Sequence, residues 1–240
     1  MWIMLWVSIA IAGPILRPDP SENANNQHLD LSLLPPGTEV TVDGESFTFL
    51  LGSDRYGRDF LSRLMAGSVI SLSVAGIAVA ISLCIGLLLG AWAGYKGGIV
   101  DAVVSWVLQV VWSVPTLLMV LAITLAFGKG FWQVFVAIGL TMWVEVARIV
   151  RGQFISLREL EYVQAAKALG LSDFKIMFKH ILPNAMGPII VVAAANFAAA
   201  ILIEAGLSFL GVGPRIPVPS CGNIVKVHYQ RRTLSLITIL

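Results

Sequence analysis

The sequence has little charge: only 12% of its 240 residues are Asp, Glu, Lys or Arg, and the formal net charge is +2. Soluble domains usually carry about a quarter charged residues. With 57% hydrophobic residues, the chain is too apolar for a disordered protein and for an ordinary soluble domain. The small net charge is not that of a nucleic-acid-binding protein. Composition therefore predicts a protein embedded in membrane lipid, with no nucleic acid partner.

Residues for disulfide, metal and nucleotide chemistry are equally scarce. Cys84 and Cys221 lie far apart, and the three histidines are dispersed, so neither a disulfide framework nor a metal-ligand spacing is present. The sequence contains no GxxxxGK[ST] phosphate loop. It also has no Ser-His, His-Glu-x-x-His or paired-Asp pattern, which argues against an intramembrane enzyme. We therefore expect no catalytic residue, no metal and no cofactor.

Long uncharged runs predict an all-α membrane helix bundle with about five spans, because a spanning helix needs about 20 apolar residues. Pro115 lies inside the third run and removes one backbone donor, so we expect a kink there. The five runs are residues 1–16, 69–95, 102–127, 131–147 and 185–203.

Basic residues predict the orientation, because Lys and Arg are enriched in short cytoplasmic loops. Six of them lie between the fourth and fifth runs: Arg148, Arg151, Arg158, Lys167, Lys175 and Lys179. That segment is therefore predicted to be cytoplasmic. Counting spans backwards makes the N-terminus cytoplasmic and residues 17–68 periplasmic, with a short hairpin around Asp43-Gly44.

Residues 159–183 combine a polar surface with a helical apolar stripe. Gly170 is predicted to end this helix and Ser172 to cap the next short helix, before Pro183 opens the last span. From the pattern alone, two interpretations are equally good: a helix that docks into a groove of a partner, and a helix that covers lipid headgroups. The stripe consists of Tyr162, Ala165, Ala166 and Leu169.

Three motifs resemble a known family. Tyr162–Gly170, followed by His180–Asn184, resembles the EAA loop of ABC importer permeases. Gly52–Arg63 resembles the GTDxxGRDxxSR segment of the branch that transports dipeptides, oligopeptides and nickel. Glu204–Gly211 resembles the segment that ends the fifth span of that branch. The motifs follow the family's order over roughly residues 50–222.

This resemblance implies the transmembrane permease subunit of an ATP-driven importer of peptides, or of nickel, in the bacterial inner membrane. It implies as partners a second permease subunit, two cytoplasmic ATP-binding subunits and a periplasmic or lipid-anchored substrate-binding protein. It assigns ATPase coupling to Glu161, Tyr162, Gln164, Ala165, Ala166, Gly170 and Pro183. It assigns the periplasmic family motif to Gly52, Asp54, Gly57, Arg58, Asp59 and Arg63.

Two features depart from the family pattern. Gln164 stands where the family usually has the glutamate of its EAA motif, which keeps the side-chain length and loses the charge. After Asn223 the resemblance fades, and we expect the sixth span of the family to be missing. The expected organisation is thus a first span at 1–16, a periplasmic segment at 17–68, a transmembrane core at 69–222 and an atypical tail at 223–240.

Several alternatives stay open on the residues themselves. In the outer motif, Ser53 or Asp54 caps a short helix, the arginines meet lipid headgroups and Asp59 faces water, or else the motif frames the pathway entrance. Glu204 either lines the translocation pathway or reaches water near the outer interface. The alternative function is a secondary transporter driven by an ion gradient. Such transporters usually show paired repeats, and no repeat is evident here.

We predict that single cysteines placed near Gly44 and near Ser172 are labelled from opposite sides of the membrane, once Cys84 and Cys221 are replaced by serine. A membrane-impermeant maleimide should label the first site in intact cells and the second only in opened cells. Labelling of both sites from outside would contradict the orientation that the basic residues indicate.

Overall fold

A computed structural model of the chain describes residues 27–42, 45–128, 131–213 and 220–225. A helical turn covers residues 221–225. The other elements, in chain order, are a 3₁₀ turn (Leu29–Leu31), strands β1 (Thr38–Val42) and β2 (Glu45–Phe49), and helices α1 (Phe60–Lys96), α2 (Gly98–Trp112), α3 (Thr116–Phe127), α4 (Phe131–Leu157), α5 (Glu161–Ala168) and α6 (Asp173–Phe209).

The chain forms two compact units. The second comprises Val74–Gly128 and Trp132–Ile203, and the first comprises the other described residues. In the first unit, β1 and β2 pair in antiparallel fashion, with Val42 opposite Glu45. This register confirms the predicted hairpin, whose two connecting residues lie outside the described part of the chain.

Helices α1, α4 and α6 are long and apolar enough to cross a membrane, and α2 with α3 forms a fourth, broken candidate. The bend between α2 and α3 is 89° and confirms the kink predicted at Pro115. These helices account for four of the five predicted spans. The first predicted span, at residues 1–16, lies outside the described residues, and so does the tail from residue 226 onward.

Two helices extend well beyond the apolar runs that predicted them. Helix α4 continues to Leu157 instead of stopping near residue 147, and α6 begins at Asp173 instead of near residue 185. The apolar run measures how much of a helix lies in lipid. The helix itself continues for as long as backbone hydrogen bonds and packing stabilise it.

Helices α1 and α4 pack almost backbone to backbone along three glycines of α1. Gly86, Gly90 and Gly94 lie one turn apart on one face of the helix. A Cβ atom on Gly90 would lie 2.5 Å from the carbonyl oxygen of Ala147, and one on Gly94 would lie 2.6 Å from that of Arg151. Small residues spaced by four let membrane helices approach in this way. We call the three residues the glycine ridge.

An ion pair ties α2 to α4 within the second unit. Both carboxylate oxygens of Asp101, in the first turn of α2, accept hydrogen bonds from the guanidinium of Arg151, one of them at 2.7 Å. This bidentate geometry is the strongest that an arginine and a carboxylate form. The pair therefore fixes the start of α2 against α4.

We predict that Gly90→Ala destabilises the protein by about 1–3 kcal/mol, because the added methyl group must push α1 away from α4. Gly76→Ala is the matched control on the same helix, since no atom lies within 4 Å of its Cβ position. Thermal loss of monodisperse protein in detergent, followed by size-exclusion chromatography, compares the two. Equal melting temperatures for both variants would contradict the close approach at the ridge.

Candidate functional site

Residues 158–183, which we call the EAA-like segment, form a helix, a sharp turn and the start of a second helix. Helix α5 ends at Ala168, and Gly170 makes the turn that follows it. The φ of Gly170 is +74°, which is favourable for glycine. The Gly170 N–H donates to the carbonyl of Lys167 at 2.9 Å, and the Leu171 N–H donates to that of Ala166 at 3.2 Å. These two bonds are a Schellman motif, which satisfies the last carbonyls of the helix. The predicted helix stop at Gly170 is confirmed.

The two alanines of the EAA-like segment have different surroundings. Ala166 is only 6% exposed and joins Val163 in a core cluster with Tyr95, Phe154 and other buried residues of the second unit. Ala165, one position earlier, is exposed. A partner can therefore contact Ala165, whereas Ala166 anchors α5 to its own chain.

The exposed face of α5 carries the other assigned residues. Glu161 lies in the first turn, where a negative charge is favourable to the helix dipole. The Gln164 side-chain amide donates to the carbonyl of Arg158 at 3.1 Å. The Tyr162 hydroxyl accepts a hydrogen bond from Asn184 at 3.3 Å. Gln164 thus ties α5 to the residues that precede it.

The second helix of the segment is continuous with the last span. Ser172 occupies the N-cap position, as predicted, although its side chain makes no capping bond. Ile176–Ile181 is π-helical, and the Leu182 N–H donates to the carbonyl of Met177. Pro183 follows at once, and its ring would clash with the carbonyl four residues earlier in a regular α-helix. Instead of a separate short helix, one helix, α6, runs from the turn into the membrane span.

Two polar anchors attach the EAA-like segment to the last turn of α1. Arg158 donates to the carbonyl of Gly94 at 2.9 Å, at the end where a helix has unsatisfied acceptors. Asp173 accepts a hydrogen bond from the Tyr95 hydroxyl at 2.9 Å and forms an ion pair with Lys96. The first residues of the segment and of α6 are therefore both held by α1.

In the first unit, Asp54 organises the Gly52–Arg63 motif. Its Oδ1 accepts hydrogen bonds from the backbone N–H groups of Tyr56 at 2.8 Å and Arg58 at 3.0 Å. Its Oδ2 lies 2.7 Å from Nη2 of Arg58 and 3.7 Å from Nε of Arg63. The two arginines are 2% and 6% exposed. The interpretation that places them at lipid headgroups is wrong, because they neutralise a buried carboxylate instead.

Asp59 caps α1, which begins at the next residue. Its Oδ2 accepts the backbone N–H of Ser62 at 3.0 Å, as an N-cap side chain does, and the Ser62 hydroxyl donates to the same oxygen. Asp59 is buried. The expectation that it faces water is therefore wrong, and so is the expectation that Ser53 or Asp54 provides the cap.

The two glycines of the motif lie where the chain preceding β1 passes over it. Gly57 has φ +74°, and a Cβ atom there would lie 1.8 Å from the carbonyl oxygen of His28. A Cβ atom on Gly52 would lie 2.5 Å from that of Leu34. A side chain at either position would displace the backbone, so the motif forms a compact turn that requires glycine at both positions.

Glu204 lies in a buried polar network of the first unit. One carboxylate oxygen accepts the Ser208 hydroxyl at 2.7 Å, and the other accepts the Ser71 hydroxyl at 3.1 Å. Ser71 in turn accepts the backbone N–H of Cys221 at 3.2 Å, so the network holds the helical turn at 221–225. Glu204 is fully buried. The interpretation in which it reaches water is wrong, and a place in the pathway stays a prediction.

Several residues that hold these sites together were not predicted from the sequence. The spacing of the glycine ridge is a readable signal, because three glycines recur every fourth position in an apolar run. By contrast, no local pattern pairs Arg158 with Gly94 or Ser71 with Glu204, since each contact joins residues far apart in the chain.

Known proteins match this chain over most of its length. Residues 86–240 match the family model described as "Binding-protein-dependent transport system inner membrane component". The oligopeptide transport system permease protein of Bacillus subtilis (strain 168) is 39% identical over 73% of this chain and 57% of its own length. The dipeptide transport system permease protein of the same organism is 38% identical over 92% of this chain and 66% of its own length. The chain thus spans under two thirds of these two relatives.

A third relative, the di/tripeptide transport system permease protein of Pseudomonas aeruginosa (strain UCBPP-PA14), is 34% identical over 94% of this chain and 72% of its own length. Among solved structures, inward-facing conformations of the MetNI methionine ABC transporter align with a TM-score of 0.56 and 18% identity. That alignment covers 73% of this chain and 90% of the other. At this identity the structural likeness establishes the fold alone.

We predict that Asp54→Ala destabilises the protein by about 3–5 kcal/mol, because it leaves two buried arginines without their shared carboxylate. Asp30→Ala is the control, since Asp30 is an exposed acid of the same unit. Thermal unfolding in detergent measures both variants. A melting temperature for Asp54→Ala equal to that of the control would remove the carboxylate from its organising role.

Proposed function

The chain belongs to the family of binding-protein-dependent transport system inner membrane components, and from this membership we propose that it is the permease subunit of an ATP-driven peptide importer. The names of the three relatives, which refer to oligopeptides, dipeptides and di/tripeptides, favour peptides over nickel as the cargo. The chain is a multi-pass protein of the inner membrane, and it contributes helices to the translocation pathway.

The proposed assembly contains a second permease subunit, two ATP-binding subunits and a substrate-binding protein. In it the EAA-like segment, which holds four of the six basic residues, faces the cytoplasm and the N-terminus lies on the same side. The Gly52–Arg63 motif faces the periplasm. There it frames the entrance of the pathway beside the binding protein, and its buried ion pair keeps the start of α1 in place.

The observation that carries the proposal is the contrast between the two faces of the EAA-like segment. Its inner face is buried and anchored to α1 by Arg158 and Asp173. Its outer face presents Leu169, 80% exposed, and Phe174, 70% exposed, on the two sides of the turn. Large apolar side chains grouped in this way are typical of a surface that a partner covers. We assign that surface to the ATP-binding subunit.

A rigid connection from this surface into the membrane supports coupling. Because α6 is one helix from Asp173 to Phe209, a force applied at the turn reaches the membrane span without an intervening loop. Because Arg158 and Asp173 also hold α1, the same force reaches a second span. Closure of the ATP-binding subunits would thus tilt two helices together. The interpretation as a simple headgroup-covering helix does not account for these anchors.

We predict that Leu169→Asp and Phe174→Asp each reduce co-purification of the ATP-binding subunit about tenfold. Each substitution places a charge in an apolar contact, which should cost about 1.4 kcal/mol or more of binding free energy. Leu50→Asp is the matched control, because it makes the same substitution at an exposed leucine of the first unit. The assay compares detergent pull-downs at equal permease levels. Unchanged recovery of the ATP-binding subunit with both variants would remove the coupling role from this surface.

A further inference from the structure

A cleft lies beside the break between α2 and α3. It has a volume of about 160 Å³ and is lined by Trp112 and Thr116 at the break, by Thr141 and Glu145 on α4, and by Ile203 on α6. Broken helices at membrane depth are found where backbone lines a cavity. The mixed lining, with one carboxylate and two hydroxyls on apolar walls, is typical of a binding site for a small organic group.

Glu145 lies near the middle of α4, one turn before Arg148. The apolar run predicted a span that ends at residue 147, which placed this acid at the membrane edge, but the helix continues to Leu157. The charged layer is marked by the ion pair of Asp101 with Arg151. Glu145 precedes Arg151 by six residues, which is about 9 Å along a helix. Glu145 therefore lies less than two turns along α4 from that ion pair, and Arg148 lies between them.

Glu145 lies one turn from a cationic side chain, Arg148, but does not pair with it. Within the described ranges, no cationic side chain forms an ion pair with it. Arg148, one turn along α4, places its guanidinium over the ring of Trp112, which lines the same cleft. An ionisable side chain at membrane depth almost always faces a partner or a water-filled cavity. Because Glu145 is exposed and borders the cleft, the cleft is where its counter-ion belongs.

The surroundings of Glu145 discriminate between kinds of cation. The last turn of α2 ends at the cleft, and the C-terminal end of a helix is favourable to positive charge. The walls, however, are largely apolar and supply one carboxylate, whereas a metal ion that has lost its water requires several oxygen ligands from the protein. An ammonium group on an organic molecule fits both features, since its charge meets Glu145 and its carbon atoms meet the apolar wall.

We propose that this cleft is a subsite for an organic ammonium group, with Glu145 as the counter-ion, and that a peptide in transit occupies it through its terminal or lysine ammonium. The peptide as occupant rests on the proposed function, because only a peptide cargo brings such a group into the pathway. The ammonium subsite itself rests on the geometry of the cleft alone.

A charge-selective thiol reaction tests the subsite without any cargo. Thr116→Cys, in a chain whose own cysteines are serine, places a thiol on the cleft lining. Two methanethiosulfonate reagents, one ending in trimethylammonium and one in sulfonate, are compared in detergent solution. We expect the cationic reagent to react faster, and Glu145→Gln to lower the cation-to-anion rate ratio about tenfold. Glu145→Asp should keep the ratio, as should Glu39→Gln, which removes an exposed acid of β1. A ratio insensitive to Glu145→Gln would overturn the subsite.

A transport assay then tests the peptide as occupant. Vesicles reconstituted with the partner subunits are supplied with trialanine and with N-acetyl-trialanine. We expect Glu145→Gln to reduce transport of trialanine several-fold more than that of the acetylated peptide. Equal effects on both peptides would overturn the assignment of the cleft to cargo. If the unmodified complex transports neither peptide while the thiol ratio behaves as expected, the proposed function fails and the ammonium subsite is upheld.

Discussion

The backbone contact between α1 and α4 is the constraint on which the second unit depends. At Gly90 and Gly94 of the glycine ridge, carbonyl groups of α4 lie directly against the backbone of α1. This contact continues to Gly94, in the last part of α1, and Arg158 follows directly after α4. The arginine therefore reaches the carbonyl of Gly94, and the helix that follows is placed beside the end of α1. Without the ridge, the EAA-like segment would have no fixed support.

Three carboxylates of the described residues have charged or hydroxyl partners within the chain. Asp54 forms ion pairs with two arginines. Asp101 accepts two hydrogen bonds from the guanidinium of Arg151, and Glu204 accepts hydrogen bonds from two serine hydroxyls. Each arrangement offsets the cost of removing a charge from water. Glu145 differs from these three, because it is exposed, borders a cleft and has neither an ion pair nor a side-chain hydrogen bond within the described ranges.

The EAA-like segment connects two kinds of surface that a coupling element needs. Its buried face packs into the core of the second unit, and its exposed face carries apolar side chains on the two sides of the Gly170 turn. The π-helical stretch before Pro183 lets α6 continue through a position at which a regular helix would clash. One helix thus runs from the exposed turn through the apolar span without an intervening loop.

Local chemistry in the sequence was sufficient for several features: the place of the apolar helices within the described residues, the kink at Pro115, the hairpin before the outer motif and the turn at Gly170 after α5. Each depends on residues close together in the chain, so a pattern reports it directly. The tertiary structure decided which face of α5 is buried, that Arg58 and Arg63 neutralise Asp54, that Glu204 is enclosed by serines and that Glu145 opens into a cleft. The partners in these contacts come from other turns or other helices. Only the packing of the chain brings their charges and hydroxyl groups together. A helical or apolar pattern along the sequence does not indicate which distant residues come into contact.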